Sequence, residues 1–210
     1  MRSDVGVREH VASVNETFAG VRIDGVPSSE GIGVGQQLRA DLEATRAAYH
    51  QLVRELSAED WRRQSGNLAW TIGEVLYHMT LALRLLPGDV RLIRGKGWTP
   101  KLPAQLFNWL NVLFTRLGAR TVTLQTVGQK YDAAHATVLE LLATVQDDEW
   151  ERGAEYPDWD PLLSGFVALS RLFGYPTIHF EAHAEQIRQG LEHSGSRIEL
   201  TSVEGATHGV

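Results

Sequence analysis

Four stretches of this chain repeat apolar residues every three or four positions, each on one side only. A helix with a single apolar stripe must bury it against a neighbour, and four such helices do so most economically as a bundle. The expected fold is therefore all-α, a four-helix bundle with a long connection between the second and third helices. The first stretch covers residues 36–56, with Leu38, Leu42, Thr45, Tyr49, Leu52, Val53 and Leu56 as its stripe. The second begins at Thr71, where Thr71 and Glu74 have capping-box spacing, so each can bond the other's backbone amide. Its inner face is expected to carry Val75, His78, Met79, Ala82, Leu85 and Leu86, and Pro87-Gly88 should end or kink it. The third covers 121–146 through Val127, Tyr131, Ala134, Val138, Leu141, Leu142 and Val145. The fourth reaches Leu191 and carries Ile178, His179, Phe180, Ala182, His183, Gln186 and Ile187. Pro176 is either its first residue or a kink in a longer helix begun near Leu163.

At 210 residues, with 43% hydrophobic and 22% charged residues, the chain suits one globular core. Residues 1–35 read as a flexible Gly- and Ser-rich arm, with a short packed piece around 18–23. Residues 36–193 form the expected bundle, and 194–210 a polar tail. The segment 95–118 is too apolar for a plain connection, and a short helix is expected there, covering the bundle mouth or making a subunit contact. Residues 153–165 read as an ordered loop.

Composition excludes several functions. A formal charge of −6 with no Lys/Arg run offers nothing to a phosphate backbone or an anionic lipid surface, so neither nucleic acid nor membrane is expected as a partner. The absence of cysteine rules out a disulfide framework, a thiolate zinc site and a cysteine nucleophile, so thiol chemistry would need a thiol from outside. No uncharged apolar run is long enough to span a bilayer, and the expected location is cytoplasmic.

The candidate chemistry lies in the histidines. His179 and His183 are four apart, which on a helix puts both rings on one face, within reach of a shared ion. Alone, the pair also suits two polar residues near Glu181 and Glu185. His78 strengthens the metal reading, because it stands mid-stripe on the second helix, where an unpaired imidazole is costly to bury. The alternative for His78 is a hydrogen bond to a backbone carbonyl, Tyr49 or Tyr131. A divalent metal satisfies all three rings at once. Gln186, one turn past His183, is expected to bond a ligand or to meet substrate, unless it is an ordinary polar helix residue. Glu181 lies about 200° around the helix from His179 and points away, so this is not a zinc-protease helix. His135 is a weaker candidate fourth ligand; His50 falls beside the first stripe, and His10, His193 and His208 sit in or next to the loose ends.

Two motifs carry a family resemblance. Trp70-Thr71-Ile72-Gly73-Glu74-Val75-Leu76-Tyr77-His78 resembles the opening of the second helix in the DinB-like superfamily, which runs from Trp-Ser/Thr into the first ligand histidine. His179-Phe180-Glu181-Ala182-His183-Ala184-Glu185-Gln186-Ile187 is similar to that superfamily's fourth-helix motif, His-x-x-x-His-x-x-Gln-Ile. Leu56-Ser57-Ala58-Glu59-Asp60-Trp61 is similar to its first inter-helix loop. The likeness spans residues 36–191; segment 95–118 and the arm do not map onto it. The superfamily also includes the N-terminal domain of mycothiol-dependent maleylpyruvate isomerase. The resemblance implies His78, His179 and His183 as ligands, an up-down-down-up style bundle, and metal-assisted transfer or isomerisation with low-molecular-weight thiols.

Three neutral imidazoles leave a divalent ion with open positions, the layout of a reactive rather than a closed structural site. Zinc or nickel is the expected metal, with a small-molecule substrate or thiol as partner. The first reading is a metal-dependent enzyme: a thiol-dependent S-transferase or isomerase, or else a hydrolase acting through metal-activated water. Trp70, Trp98 and Arg94 are candidate pocket residues, with core packing or solvation as the alternative for each. The second is a non-catalytic metal- or small-ligand-binding bundle, a homodimer joined through the 106–117 surface. The third is a bundle whose histidines are structural.

Overall fold

The computed structural model describes residues 33–95, 103–160 and 162–204, with side chains described up to residue 192. The expected packed piece around 18–23 and most of the arm lie outside these residues. Besides two short 3-10 turns, Asp60–Arg62 and Asp147–Glu149, the described residues form five α-helices and one hairpin: α1 (Val34–Glu55), α2 (Ile72–Ile93), α3 (Ala104–Ala119), α4 (Val127–Leu142), β1 (Gly153–Tyr156), β2 (Gly165–Ala168) and α5 (Leu169–Glu204). Helices α1, α2, α4 and α5 form the bundle. Both α1 and α2 pack on α4 and α5, so α1 and α2 are diagonal partners, while α3 lies outside the square against α2.

The stripes read from the sequence bury where periodicity places them. Leu42, Thr45, Tyr49 and Leu52 are buried on α1, and Val127, Tyr131, Ala134, Val138 and Leu142 on α4. Tyr49 stacks on Tyr131 with ring centroids 3.9 Å apart, and its hydroxyl donates to the Leu76 carbonyl at 3.1 Å. The capping box also forms: Glu74 Oε2 accepts from the Thr71 amide at 2.8 Å, and Thr71 Oγ1 from the Glu74 amide at 3.3 Å.

Helix α2 departs from a single stripe. It is walled by α3, α4 and α5, so Ile72, Leu76, Tyr77, Thr80 and Leu83 are buried as well. Leu85, expected inside, is 58% exposed, because Leu83 and Leu86 take the inward positions there. Pro87 does not end the helix, which continues to Ile93, and α5 likewise runs through Pro176 from a start at Leu169. α5 also extends as helical backbone to Glu204, past the boundary expected at 193. Helix α4 is shorter than the expected 121–146, because Thr126 Oγ1 accepts from the Thr123 amide and holds a turn ahead of it.

The two connections are more ordered than their sequences suggest. Segment 95–118 holds nearly all of α3, a helix of 16 residues that ends at Ala119. It approaches α2 closely at Gly118, where a Cβ would collide with the Tyr77 ring. The loop expected at 153–165 contains β1, which pairs antiparallel with β2 in the register Gly153↔Ala168 to Tyr156↔Gly165. Gly165, at φ +69°, supplies a left-handed turn into β2 that a side chain would disfavour. Arg171, in the first turn of α5, donates to the carbonyls of Leu162, Ser164 and Phe166 and holds the return of the hairpin.

Candidate metal centre

Helix α5 places His179 and His183 one turn apart on the face toward α2, with ring centroids 4.4 Å apart and planes 78° to one another. From the facing side α2 supplies His78, 4.9 Å from each of the other rings. The inner nitrogens converge: His179 Nε2 lies 3.1 Å from His78 Nε2 and 3.2 Å from His183 Nε2. All three rings are buried, and among the described residues they make a group that could hold one metal ion.

The outer nitrogens of His78 and His183 have separate partners. His78 Nδ1 lies 3.3 Å from Thr115 Oγ1 on α3. His183 Nδ1 donates to Gln186 Oε1 at 2.9 Å, so Gln186 stands beside His183. This bond leaves the Nε2 lone pair of His183 turned inward. Tyr49, offered as an alternative partner for His78, spends its hydroxyl on Leu76 instead.

Burial holds the imidazoles neutral. Desolvation, with the neighbouring rings adding to it, pushes His78 and His179 well below the ordinary histidine range. Desolvation also lowers His183, opposed by its bond to Gln186 and by the Asp160 carboxylate. Neutral imidazole is the form that binds metal.

The donor set fits a divalent ion. Metal binding needs the three Nε2 lone pairs turned inward together, which the outer contacts of His78 Nδ1 with Thr115 and of His183 Nδ1 with Gln186 permit. With metal–nitrogen bonds of about 2.0–2.1 Å, adjacent ligand nitrogens stand roughly 2.8–3.4 Å apart, from octahedral to tetrahedral angles. The separations of 3.1 and 3.2 Å fall within that range.

Two different walls adjoin the centre. Trp70 lies against His78, with centroids 4.4 Å apart and planes at 32°, and 6.1 Å from His183. The loop before α2 seats it: the Gln64 amide, the Ser65 hydroxyl and the Ser65 amide all donate to the Trp70 carbonyl, and the Gly66 amide donates to the Gln186 carbonyl on α5. On the other side Tyr175, one turn before His179, has its ring 4.9 Å from that histidine and donates to Asp160 Oδ2 at 2.6 Å. Burial, then the Asp160 carboxylate, push the Tyr175 phenol well above its usual range, so it stays protonated. Asp160 is held by the Leu162 amide at its other oxygen, and its neighbour Trp159 stacks on Phe107 of α3 at 4.5 Å. Tyr156 donates to Asp89 on α2, whose carboxyl burial pushes up to about 6.

The remaining candidates fall elsewhere. His135 is buried, but its Nε2 lies 3.2 Å from the Leu42 carbonyl and outside the three-histidine group, so it is a core residue rather than a fourth ligand. His50 pairs with Asp132 at 2.7 Å, and Arg46 bonds the same carboxylate oxygen. Arg94 is not a pocket residue: it grips Glu149 with two nitrogens, at 3.1 and 2.8 Å, and bonds Thr144. Trp98, His10 and His208 lie outside the described residues, as does the side chain of His193. Thr115, Tyr175 and Asp160 were missed from sequence. Only Tyr175 left a signal, its four-residue step to His179.

Comparison with known proteins agrees with this architecture. The family model described as the DinB superfamily matches residues 41–187. No curated protein matches. Among solved structures, a structural-genomics crystal structure of a protein from Streptococcus pneumoniae is similar in fold, with a TM-score of 0.55 at 15% identity, covering 73% of this chain and 88% of that one.

Proposed function

Because this chain belongs to the DinB superfamily, we propose that His78, His179 and His183 bind one divalent metal ion, zinc or nickel, and that the protein is a metal-dependent enzyme using a low-molecular-weight thiol, an S-transferase or isomerase. The observation that carries this reading is the convergence of three buried, neutral imidazole nitrogens from two helices. A metal on three such ligands keeps open positions and supplies the positive charge that holds a thiol as its reactive thiolate. The chain's own residues do the rest. Gln186 fixes the tautomer of His183, Thr115 braces His78 from α3, and burial keeps all three rings in the binding form. With no cysteine in the chain, the thiol comes with the substrate. A cytoplasmic location suits this chemistry, since thiols are kept reduced there. Among the described residues no helix is long and apolar enough to cross a membrane.

Elemental analysis of protein purified without an affinity tag should give one metal per chain, lost in His78→Ala. The metal-loaded protein should then turn over an electrophile in the presence of a thiol. Stoichiometric metal with no turnover across thiol–electrophile pairs, and none with ester or amide substrates, would remove the enzymatic reading, hydrolysis included. A second reading, a non-catalytic metal-binding homodimer, is favoured by the face that α3 turns outward: Leu106, Trp109, Phe114 and Leu117 are all exposed. Sedimentation of Trp109→Glu against the parent tests it, with a shift from dimer to monomer expected.

A further inference from the structure

Trp70 is 5% exposed, yet among the described residues its Nε1 has no hydrogen-bond partner. A buried N–H without an acceptor is costly, and native proteins pair most of them with protein, ordered water or ligand atoms. The indole has little freedom to find another partner. Its backbone carbonyl is held by Gln64 and Ser65, and its ring lies along His78 and near His183. The outer nitrogens of the two rings it faces are already engaged: His78 Nδ1 with Thr115 and His183 Nδ1 with Gln186. The unused donor therefore belongs to the wall of the three-histidine centre and has no acceptor among the described residues.

We propose that the Trp70 indole N–H is a ligand-binding donor, which hydrogen-bonds an anionic or lone-pair-bearing atom of the molecule occupying the open side of the metal. The ligand class is a thiolate or a similar small anion, presented to the metal and to Trp70 together. No bond is made or broken in this contact; the indole orients the ligand and stabilises its negative charge. The inference rests on the proposed metal site, but not on the reaction carried out there.

The test uses the full chain loaded with zinc for NMR and with cobalt for absorbance, with 2-mercaptoethanol and azide as separate probes. In the parent protein, the indole ¹H–¹⁵N resonance that disappears in Trp70→Phe should move downfield when either probe is added. In cobalt-loaded Trp70→Phe, which keeps an aromatic ring on His78, each probe should bind about five- to tenfold more weakly, with metal affinity unchanged. If no indole ¹H–¹⁵N resonance of the parent moves while a probe binds the metal, the proposal is overturned, even if the variant does not fold. Response to azide but not to the thiol would leave the donor role standing and remove the thiol reading. Failure of both probes to perturb the cobalt spectrum would overturn the open metal site and this inference with it.

Discussion

Thr115 Oγ1 lies 3.3 Å from His78 Nδ1, so a residue on the helix outside the bundle braces a histidine at its centre. Thr115 is fully buried, and no other partner competes for that nitrogen among the hydrogen bonds described. Thr115→Val keeps the shape and removes the oxygen. Metal affinity should fall roughly tenfold, as is common when the outer partner of a metal-binding histidine is lost. The metal-free protein should lose about 1 kcal/mol. Competition with a chromogenic chelator measures the first, urea unfolding the second; unchanged metal affinity would show that Thr115 only fills space.

That brace depends on how closely α3 approaches α2. At Gly118 an added Cβ would collide with the ring of Tyr77, which is itself buried. Gly118→Ala should therefore push α3 outward, cost about 1–3 kcal/mol, and weaken metal binding in the same direction as Thr115→Val. The double variant should bind metal no more weakly than the worse single variant, since both act through one contact.

Acid should destabilise the metal-free protein. Burial lowers the affinity of His78, His179, His183 and His135 for protons in the folded state. The unfolded chain takes up protons near the ordinary histidine value of about 6.5. Below that pH the unfolded state binds more protons, so stability present at higher pH is lost as pH falls. The slope approaches about 1.4 kcal/mol per pH unit for each histidine that stays neutral in the fold. Unfolding at pH 7.5 and 5.5 checks the sign, and metal release should follow the same acid limb.

Asp89 has the opposite sign. Burial raises its folded value to about 6, with the Tyr156 hydroxyl opposing only in part. Between about pH 4, where the unfolded carboxyl ionises, and pH 6, the folded state holds the extra proton and stability falls as pH rises. Asp89→Asn should accordingly stabilise the protein by about 1–3 kcal/mol at pH 7.5 and by nothing near pH 4. Thermal unfolding at both values decides it; a gain of equal size at pH 4 would show that the carboxylate is not the source.

Much of the fold was legible because helical periodicity is local. Leu42, Tyr49, Val127, Tyr131 and Val138 are buried as their three- and four-residue spacing requires, and Thr71 and Glu74 cap α2 as their three-residue step requires. Leu85 and the 153–168 hairpin were not legible. On a helix walled on three sides, neighbours rather than period choose which leucine faces out. A pair of four-residue strands is too short to show alternation, and depends on Arg171 and Gly165 to close.

The sequence by itself determined the inner surface of the site: which three imidazoles face one another between two helices follows from a four-residue step on α5 and one polar residue inside an apolar run on α2. Only the tertiary structure decided the outer surface. Thr115 behind His78, Trp70 beside it, and Tyr175 with Asp160 beside His179 meet through contacts between residues 15 to 37 positions apart or across separate elements. Such contacts have no period to read, because they are set by how closely α3, the loop before α2 and the hairpin pack on the finished bundle.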